Sequence, residues 1–206
     1  MNSVREPLIL LHGFTDTSRT WDLVAPALER RFDVLAPALA GHAGGPRIDG
    51  EVTAATLPDA VERVMDEAGW ATAHLAGNSL GGFVALQLAA RGRAKSVVAL
   101  APAGGWARGD ESYKETLQHF VTMRDGLRPA AANADAIMRS DRGRRNATTF
   151  TTVNWEHIPG DLLADQLRGV IACTGLNDMV AFATAEGYSL DAGAITCPVQ
   201  IGRAHV

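Results

Sequence analysis

Cysteine is scarce in this sequence of 206 residues, which contains only Cys173 and Cys197. The two lie 24 positions apart, which is neither the close spacing of zinc ligands nor the dense pattern of a disulfide-stabilised secreted domain. We therefore expect two reduced, structural thiols and no metal site. A strong charge of either sign is also missing, because 19 basic and 23 acidic residues give a net charge of −4. This balance favours neither nucleic acid nor an anionic membrane surface as a partner.

Long apolar runs are missing as well. The run near the start, residues 8–11, has the four letters LILL, fewer than the roughly 7–15 residues of the apolar part of a secretory signal. No run approaches the roughly 18 residues that a membrane-spanning helix needs. These absences predict a soluble, cytoplasmic protein. The one basic cluster, residues 139–145, contains Asp141, and we interpret it as a solvated helix end or loop.

What the sequence does contain is a regular alternation of strand-like and helix-like segments. Short apolar runs predict strands at residues 8–11, 32–35, 73–76 and 96–100. Strands that alternate with helices build βαβ units, which place parallel strands in one sheet with helices on both faces. The predicted fold class is therefore α/β, with a mostly parallel sheet flanked by helices.

Apolar residues at helical spacing predict three helices between these strands. The first begins at Ser18 or Thr20 as its N-cap, and Pro26 within it predicts a kink or a late start. The second covers residues 57–68 and is followed by a glycine placed to end it. The third, residues 83–89, is apolar nearly all round, so we expect it to be buried.

The alternation stops after the fourth strand. Residues 106–193 contain helical patterns without a strand of this kind, and strand character returns at residues 197–201, CPVQI. A helical insertion between two strands of one sheet is typical of a lid. We predict a core at residues 1–105, a helical lid at 106–193 and a return to the core at 194–206.

One short motif joins the third strand to the third helix. Residues 77–81 read Gly-Asn-Ser-Leu-Gly, the pattern of a nucleophile elbow between a strand and a helix. A sharp turn there holds Ser79 in a strained backbone conformation and exposes its hydroxyl above the sheet. Gly77 and Gly81 are needed because side chains at those positions would collide with the neighbouring strand or helix. The amide of Leu80 then points from a helix N-terminus toward negative charge formed above Ser79.

A second turn supplies a matching amide. His12 and Gly13 end the first strand, so the amide of Phe14 can face the same space as the amide of Leu80. Two such donors form an oxyanion hole, in which each donor stabilises the transition state by about 3 kcal/mol. We expect His12 to brace its turn rather than to transfer protons, and we interpret His42 in the same way.

Together these motifs resemble the α/β-hydrolase family. The matching segments occur in the family's order and cover the chain to about residue 201: LLHGF (10–14), APALAGHAGG (36–45), GNSLGG (77–82) and SVVALAPAG (96–104). The resemblance implies a Ser-His-Asp hydrolase in which Ser79 is the nucleophile and the Phe14 and Leu80 amides are the oxyanion donors. A serine at this position differs from the aspartate nucleophile of the family's haloalkane dehalogenases and epoxide hydrolases.

The sequence departs from the family pattern at both ends. Only seven residues precede Leu8, where the family has a strand hairpin. The family's triad acid and histidine follow the last two strands, but here five residues follow CPVQI, and the one histidine among them is His205. Substitutes elsewhere would have to come from the following residues: His119, His157, Asp178 and Asp191. We do not expect these to reach Ser79, so the chain is expected to be inactive.

The final residues, IGRAHV, are also encoded by ATCGGAAGAGCACACGTC, which matches a common sequencing adapter. We therefore expect an incomplete α/β-hydrolase fold in which residues 201–206 are a non-native tail.

The leading functional hypothesis is hydrolysis of an ester-like or other acyl bond in a small apolar molecule, without a cofactor or metal. Aromatic residues of the lid are predicted to shape the substrate pocket or to form the lid's own core: Trp106, Phe120, Phe150, Trp155 and Phe182. Two alternatives remain open. One is a non-hydrolytic relative with the same elbow, such as a lyase, peroxidase or acyltransferase. The other is a binding protein that keeps the fold without catalysis. The sequence leaves the oligomeric state undetermined.

Overall fold

Five parallel strands form one sheet at the centre of the structure, a computed structural model that describes residues 5–106, 109–149 and 152–203. Their order is β2-β1-β3-β4-β5, and every neighbouring pair is parallel. Their bounds are β1 Glu6–Leu11, β2 Phe32–Leu35, β3 Ala73–Asn78, β4 Ala94–Leu100 and β5 Val199–Gly202. The predicted mostly parallel α/β sheet is confirmed, and three strands run up to two residues longer than expected because pairing with a neighbour extends their ladders.

Eight α-helices accompany the sheet in the described part of the chain. They are α1 Ala25–Leu28, α2 Thr56–Glu67, α3 Leu80–Ala90, α4 Tyr113–Leu127, α5 Ala134–Met138, α6 Asp141–Thr148, α7 Gly160–Ala172 and α8 Leu176–Glu186. Short 3₁₀ helices occupy Ser18–Trp21, Arg128–Asn133, Trp155–His157 and Ala192–Ala194. Helices α2 and α3 confirm two of the three helices predicted between the strands. The chain leaves α2 through Gly69, whose φ of +73° suits glycine.

The first predicted helix does not begin at Ser18 or Thr20, but the late start predicted from Pro26 is confirmed. The chain forms a 3₁₀ turn over Ser18–Trp21 and then a separate four-residue helix, α1. Thr17 is the residue before the first of these, and it makes no capping hydrogen bond through its side chain. Pro26 lies in the first turn of α1, where a missing N–H costs nothing, so the helix starts there instead of continuing from upstream. Trp21 is the buried residue of the 3₁₀ turn.

Helix α3 packs on one face of the sheet and forms the centre of the main core. Val84 and Leu88 of α3 are fully buried together with Leu75 of β3 and Val97 of β4. On the opposite face, Trp21 covers the side chains of β1. Further along the sheet that face is less covered, because Leu100 of β4 is 39% exposed. Strand β5 lies at the edge of the described sheet, and its Ile201 is 60% exposed.

The helices after β4 form a second small core of their own. It consists of buried residues of α5 and α7: Ala134, Met138, Leu163, Ala164 and Leu167. The chain then rejoins the main core through Cys173, Leu176 and Met179. Cys173 and Cys197 are both unpaired, and burial raises the pKa of Cys173 to about 12, so that this thiol stays protonated. The basic cluster at 139–145 lies around the start of α6, where Arg144 pairs with Asp141.

None of the helices described by the structure has the length and apolarity needed to cross a membrane.

Candidate active site

Ser79 lies in a sharp bend between β3 and α3. Its backbone has φ 50° and ψ −114°, a region that side-chain-bearing residues rarely adopt and that costs about 1–3 kcal/mol. Three backbone hydrogen bonds hold it there: its N–H donates to the carbonyl of Leu100 at 2.9 Å, and its carbonyl accepts from Ala103 at 3.0 Å and Phe83 at 3.1 Å. The bend is therefore fixed by the next strand and by the helix that follows.

The glycines on either side of Ser79 are required by close backbone contacts. A Cβ atom on Gly77 would lie 2.2 Å from the carbonyl oxygen of Gly81. A Cβ atom on Gly81 would lie 2.3 Å from the carbonyl oxygen of Leu11. Real atoms do not approach so closely, so helix α3 reaches this position over the sheet only because both residues lack a side chain.

The turn after β1 lies directly against this bend. A Cβ atom added to Gly13 would be 3.6 Å from the Cβ atom of Ser79 and 3.0 Å from the side-chain oxygen of Asn78. The turn is closed by a hydrogen bond from the amide of Asp16 to the carbonyl of Gly13, and Thr15 within it has a φ of +63°. The residue after Gly13 is Phe14, so the two amides predicted as oxyanion donors belong to segments in contact at Ser79.

His12 links the two loops beside the bend. Its Nε2 accepts a hydrogen bond from the amide of Leu39 at 3.0 Å, so its Nδ1 carries the proton and donates to the carbonyl of Gly13 at 2.8 Å. The ring is fully buried, and burial lowers its pKa below the usual range. A neutral ring with both nitrogens occupied suits a brace better than a proton carrier.

His42 packs beside His12 and Phe14. Its ring makes edge contacts with both, with centroid distances of 5.0 Å to His12 and 5.8 Å to Phe14. Burial lowers the pKa of His42 to about 3, and the neighbouring His12 adds to this effect. Its Nδ1 lies 3.1 Å from the carbonyl of Ala40, whereas its Nε2 has no hydrogen-bond partner among the described residues.

Asp16 is a residue of this site that sequence reasoning missed. Burial raises the pKa of its carboxyl group, against the lowering effect of hydrogen bonds from Thr17, Thr20 and Gln166. Gln166 belongs to α7, so a helix far along the chain reaches the turn after β1. The sequence did contain a local indication of the turn, because an Asp side chain often accepts a hydrogen bond from a nearby backbone amide. Here Asp16 accepts one from the amide of Thr17 at 2.8 Å. The partner on α7 had no such local signal.

Two further polar contacts join the same loop to α7. The hydroxyl of Thr17 donates to Asp165 at 2.8 Å, and Arg19 pairs with Asp161 at 3.0 Å. Gly169 of α7 allows the close approach, because a Cβ atom there would lie 2.4 Å from the methyl carbon of Thr17. The turn that carries Phe14 is therefore braced by His12 on one side and by α7 on the other.

A cavity of about 730 Å³ opens beside these turns. Phe14 and Leu80 both line it, and the loop at residues 50–54 and helices α4 and α8 complete its wall. Ser79 is partly buried and does not itself line the cavity. The two amides predicted to form the oxyanion hole thus belong to residues of the cavity wall, and Ser79 directly precedes one of them, Leu80, in sequence.

Of the five aromatic residues predicted to shape the pocket, Phe182 lines the cavity and Phe120 packs against Phe14 at 5.0 Å between ring centroids. Trp106 stacks on Tyr188, a cavity residue that the sequence reasoning missed. Trp155 lies elsewhere, under the guanidinium of Arg144. Phe150 lies outside the described residues.

None of the predicted substitutes for a triad partner forms a described hydrogen bond to the Ser79 hydroxyl. Asp178 is exposed at the cavity wall, and Asp191 accepts from the amide of Gly193. His119 lies on α4, where its ring contacts Phe120, and His157 is exposed at the end of a 3₁₀ turn. His205 lies outside the described residues. Within residues 5–106, 109–149 and 152–203, no group of three His, Cys, Asp or Glu side chains is placed to hold a metal ion.

Comparison with known proteins places this geometry in a family. Residues 6–153, well over half of the chain, match the family model described as the alpha/beta hydrolase fold. The chain belongs to the alpha/beta hydrolase fold family. This confirms the resemblance to the family that the sequence motifs suggested.

Two related sequences illustrate the range of proteins that this chain resembles. Epoxide hydrolase EphH of Mycobacterium tuberculosis is 51% identical over 70 residues, which cover 34% of this chain and 33% of that protein. The dihydrolipoyllysine-residue acetyltransferase component of the acetoin cleaving system of Cupriavidus necator is 36% identical over 127 residues, 60% of this chain and 33% of its own length. The matched segments thus span about a third of either relative.

Among solved structures, the enol-lactonase from Burkholderia xenovorans superimposes with a TM-score of 0.66 at 19% identity. The match covers 98% of this chain and 74% of the lactonase. At this identity the likeness shows the shared fold.

Proposed function

We propose that this alpha/beta hydrolase cleaves an ester-like or other acyl bond of a small apolar substrate, with Ser79 as the nucleophile. The observation that carries the proposal is the strained bend at Ser79, held by three backbone hydrogen bonds beside the turn that bears Phe14. A strained backbone that its surroundings hold in place is typical of a functional position. In this proposal residues 106–193 act as a lid over the cavity.

In the proposed reaction the Ser79 hydroxyl oxygen attacks the carbonyl carbon of the substrate. The carbonyl oxygen becomes an oxyanion, which accepts hydrogen bonds from the amides of Phe14 and Leu80. Leu80 is the first residue of α3, so its amide also carries the positive end of the helix dipole. Each donor would stabilise the transition state by about 3 kcal/mol. The bond between the carbonyl carbon and the alcohol oxygen then breaks, and the alcohol leaves with the proton lost by Ser79. Water hydrolyses the acyl-serine ester, which releases the acid and restores the Ser79 hydroxyl.

We also propose that the chain by itself turns over its substrate slowly. A serine hydroxyl without a base is a weak nucleophile. In support, no described histidine or carboxylate is hydrogen-bonded to Ser79, and the rings of His12 and His42 are buried and neutral at pH 7. Oxyanion stabilisation and binding alone give rates several orders of magnitude below those of an intact triad.

Epoxide hydrolysis is a second candidate, favoured by the identity of 51% to epoxide hydrolase EphH over a third of the chain. The chemistry of Ser79 argues against epoxide hydrolysis through a covalent intermediate. Opening of an epoxide by a carboxylate gives an ester, which water can hydrolyse at its carbonyl carbon. Opening by Ser79 would give an ether, which has no carbonyl and would leave the protein alkylated.

Labelling with a fluorophosphonate probe tests the proposal. The chain has seven serines, so labelling can show whether Ser79 is more reactive than the other six. Exogenous imidazole can act as the general base that none of the described residues supplies at Ser79. We expect labelling of Ser79 alone, because the oxyanion donors stabilise the negative charge that develops on the phosphoryl oxygen. Imidazole should make this labelling at least about tenfold faster, because it accepts the proton of the hydroxyl. Mass spectrometry of peptides identifies the labelled serine.

The matched controls are Ser79→Ala and Ser112→Ala, the second at an exposed serine outside the site. Ser79→Ala should abolish labelling, and Ser112→Ala should leave it unchanged. Equal labelling of several serines, or none with imidazole present, would contradict a nucleophilic role for Ser79 and favour a binding protein. Stable alkylation of Ser79 by styrene oxide without release of diol would rule out covalent epoxide turnover.

A further inference from the structure

The cavity beside Ser79 has a composition that restricts its ligand. Its wall is largely apolar, with Phe83, Leu117 and Met179 among the buried contributors. The charged residues on the wall are Glu51, Asp178 and Glu186, all of them exposed carboxylates. No basic residue lines the cavity in the part of the chain that the structure describes.

One side of the cavity follows helix α3 away from Ser79. Leu80, Phe83 and Gln87 line it, at positions i, i+3 and i+7, which share one face of a helix. Seven residues of helix rise about 10 Å, roughly the length of an extended eight-carbon chain.

A hydrogen bond crosses the cavity wall at the far end of this row. The side-chain amide of Gln87 donates to the carbonyl of Ala54 at 3.2 Å, which joins α3 to the loop on the other side of the cavity. Gln87 therefore lies where a chain that runs along α3 from Ser79 would end.

We propose that this cavity binds an uncharged or cationic apolar group of about eight carbon atoms and discriminates against anionic ligands, with Gln87 limiting its length and the three carboxylates setting its charge preference. The inference rests on the proposed function only in assigning this group to the acyl part of the substrate. Glu51, Asp178 and Glu186 repel a carboxylate ligand and do not repel an alcohol. Because these side chains are exposed, added salt screens the repulsion.

Calorimetric titration of the purified chain with 1-octanol, octanoate and octylammonium tests the charge preference without any turnover. At low ionic strength we expect octanoate to bind about tenfold more weakly than 1-octanol, and octylammonium to bind at least as well as the alcohol. In about 0.5 M salt the difference in affinity between octanoate and 1-octanol should fall below about twofold. Equal affinity for octanoate and 1-octanol at low ionic strength would overturn the proposal.

Two triple variants with the same change in net charge locate the effect. The cavity variant combines Glu51→Gln, Asp178→Asn and Glu186→Gln. The control variant combines Glu67→Gln, Glu156→Gln and Asp33→Asn, at exposed residues that do not line the cavity. Only the cavity variant should bring octanoate within about twofold of 1-octanol. The same response in both variants would overturn the assignment to these three residues.

The length limit is tested with 1-dodecanol. In the unsubstituted chain it should bind no more tightly than 1-octanol, and in Gln87→Ala at least about fivefold more tightly, since additional methylene groups become buried. Gln118→Ala, at an exposed residue of α4 outside the cavity, is the matched control and should change neither ligand. Tighter binding of 1-dodecanol before any substitution would overturn the role of Gln87.

Ser79→Ala separates this inference from the proposed function. It removes the nucleophile without removing a residue of the cavity wall, so the same three ligands should keep their order of affinity. If Ser79 resists labelling while the ligands retain this order, the catalytic proposal fails and the binding preference stands.

Discussion

Helices α3 and α4 are similar in length, yet their surroundings differ greatly. Eight of the eleven residues of α3 are buried, from Gly81 to Ala89, between the sheet and the helices around it. In α4, which has fifteen residues, Leu117 alone is buried. The contacts that hold α4 include Phe120 against Phe14 and Arg124 hydrogen-bonded to Asn177.

We therefore distinguish two regions. The first, around α3, has one possible packing, and the second, around α4, tolerates substitutions. Around α3 the backbone of one element touches the backbone of another, so an added methyl group has no space to enter. Around α4 the contacts are made by side-chain ends, which can move. The nucleophile of the proposed reaction lies in the first region, and much of the cavity wall lies in the second.

The same substitution should therefore have opposite effects in the two regions. Gly77→Ala places a methyl group 2.2 Å from the carbonyl oxygen of Gly81 and should lower the free energy of unfolding by more than about 4 kcal/mol. Gly126→Ala in α4 meets no atom within 4 Å and should raise it by about 0.5–1 kcal/mol, since alanine favours a helix. Urea denaturation followed by circular dichroism measures both. If both variants change stability by less than about 0.5 kcal/mol, the contrast between the regions is wrong.

Acid should weaken the fold through His42, which is buried beside His12 and Phe14. The unfolded residue binds a proton near pH 6.5, and the folded residue near pH 3, because burial disfavours its charged form. Between these values the unfolded chain holds more protons, so the free energy of unfolding falls as pH decreases. The slope approaches about 1.4 kcal/mol per pH unit below pH 6, and the loss between pH 6.5 and 4.5 is about 2.3 kcal/mol.

Urea denaturation at a series of pH values measures this slope. His42→Gln should flatten it, although the variant is less stable at pH 7. The control His157→Gln, at an exposed residue, should retain the full slope. An unchanged slope in His42→Gln would mean that other groups, such as buried His12, account for the acid sensitivity.

A smaller effect should arise where the two regions meet. Gly169→Ala on α7 brings a methyl group to 2.4 Å from the methyl carbon of Thr17 and should cost about 2 kcal/mol. Thr17→Ser removes that methyl carbon and keeps the hydroxyl that donates to Asp165. The double variant should therefore recover most of the loss in thermal denaturation. Additive destabilisation by the two substitutions would show that this contact does not limit the approach of α7.

The region around α3 could be predicted from the sequence better than the parts of the chain that contact it from a distance. The strands and the bend at Ser79 could be predicted because each depends on local residues, such as an apolar run or glycines two positions from a serine. The stretch after β1 could be predicted only in part: Pro26 indicates the late start of α1, but nothing local indicates that Ser18–Trp21 forms a separate 3₁₀ turn with Trp21 buried. The contact between Asp16 and Gln166 joins residues 150 positions apart, for which a single sequence gives no signal.

The contacts of α7 also give the helical region a role in the proposed chemistry. Phe14 supplies one of the two proposed oxyanion amides. Its turn is braced by two hydrogen bonds with α7: Asp16 accepts from Gln166, and the Thr17 hydroxyl donates to Asp165. The helices after β4 thus affect the site in two ways, by forming much of the cavity wall and by supporting the turn beside Ser79.

The central claim is that the bend at Ser79 and the turn after β1 form one oxyanion site. A crystal structure of the chain phosphonylated at Ser79 in the presence of imidazole tests it directly. The account predicts a phosphonyl oxygen at about 2.7–3.1 Å from the amide nitrogens of both Phe14 and Leu80. A phosphonyl oxygen that points to solvent and contacts neither amide would contradict it.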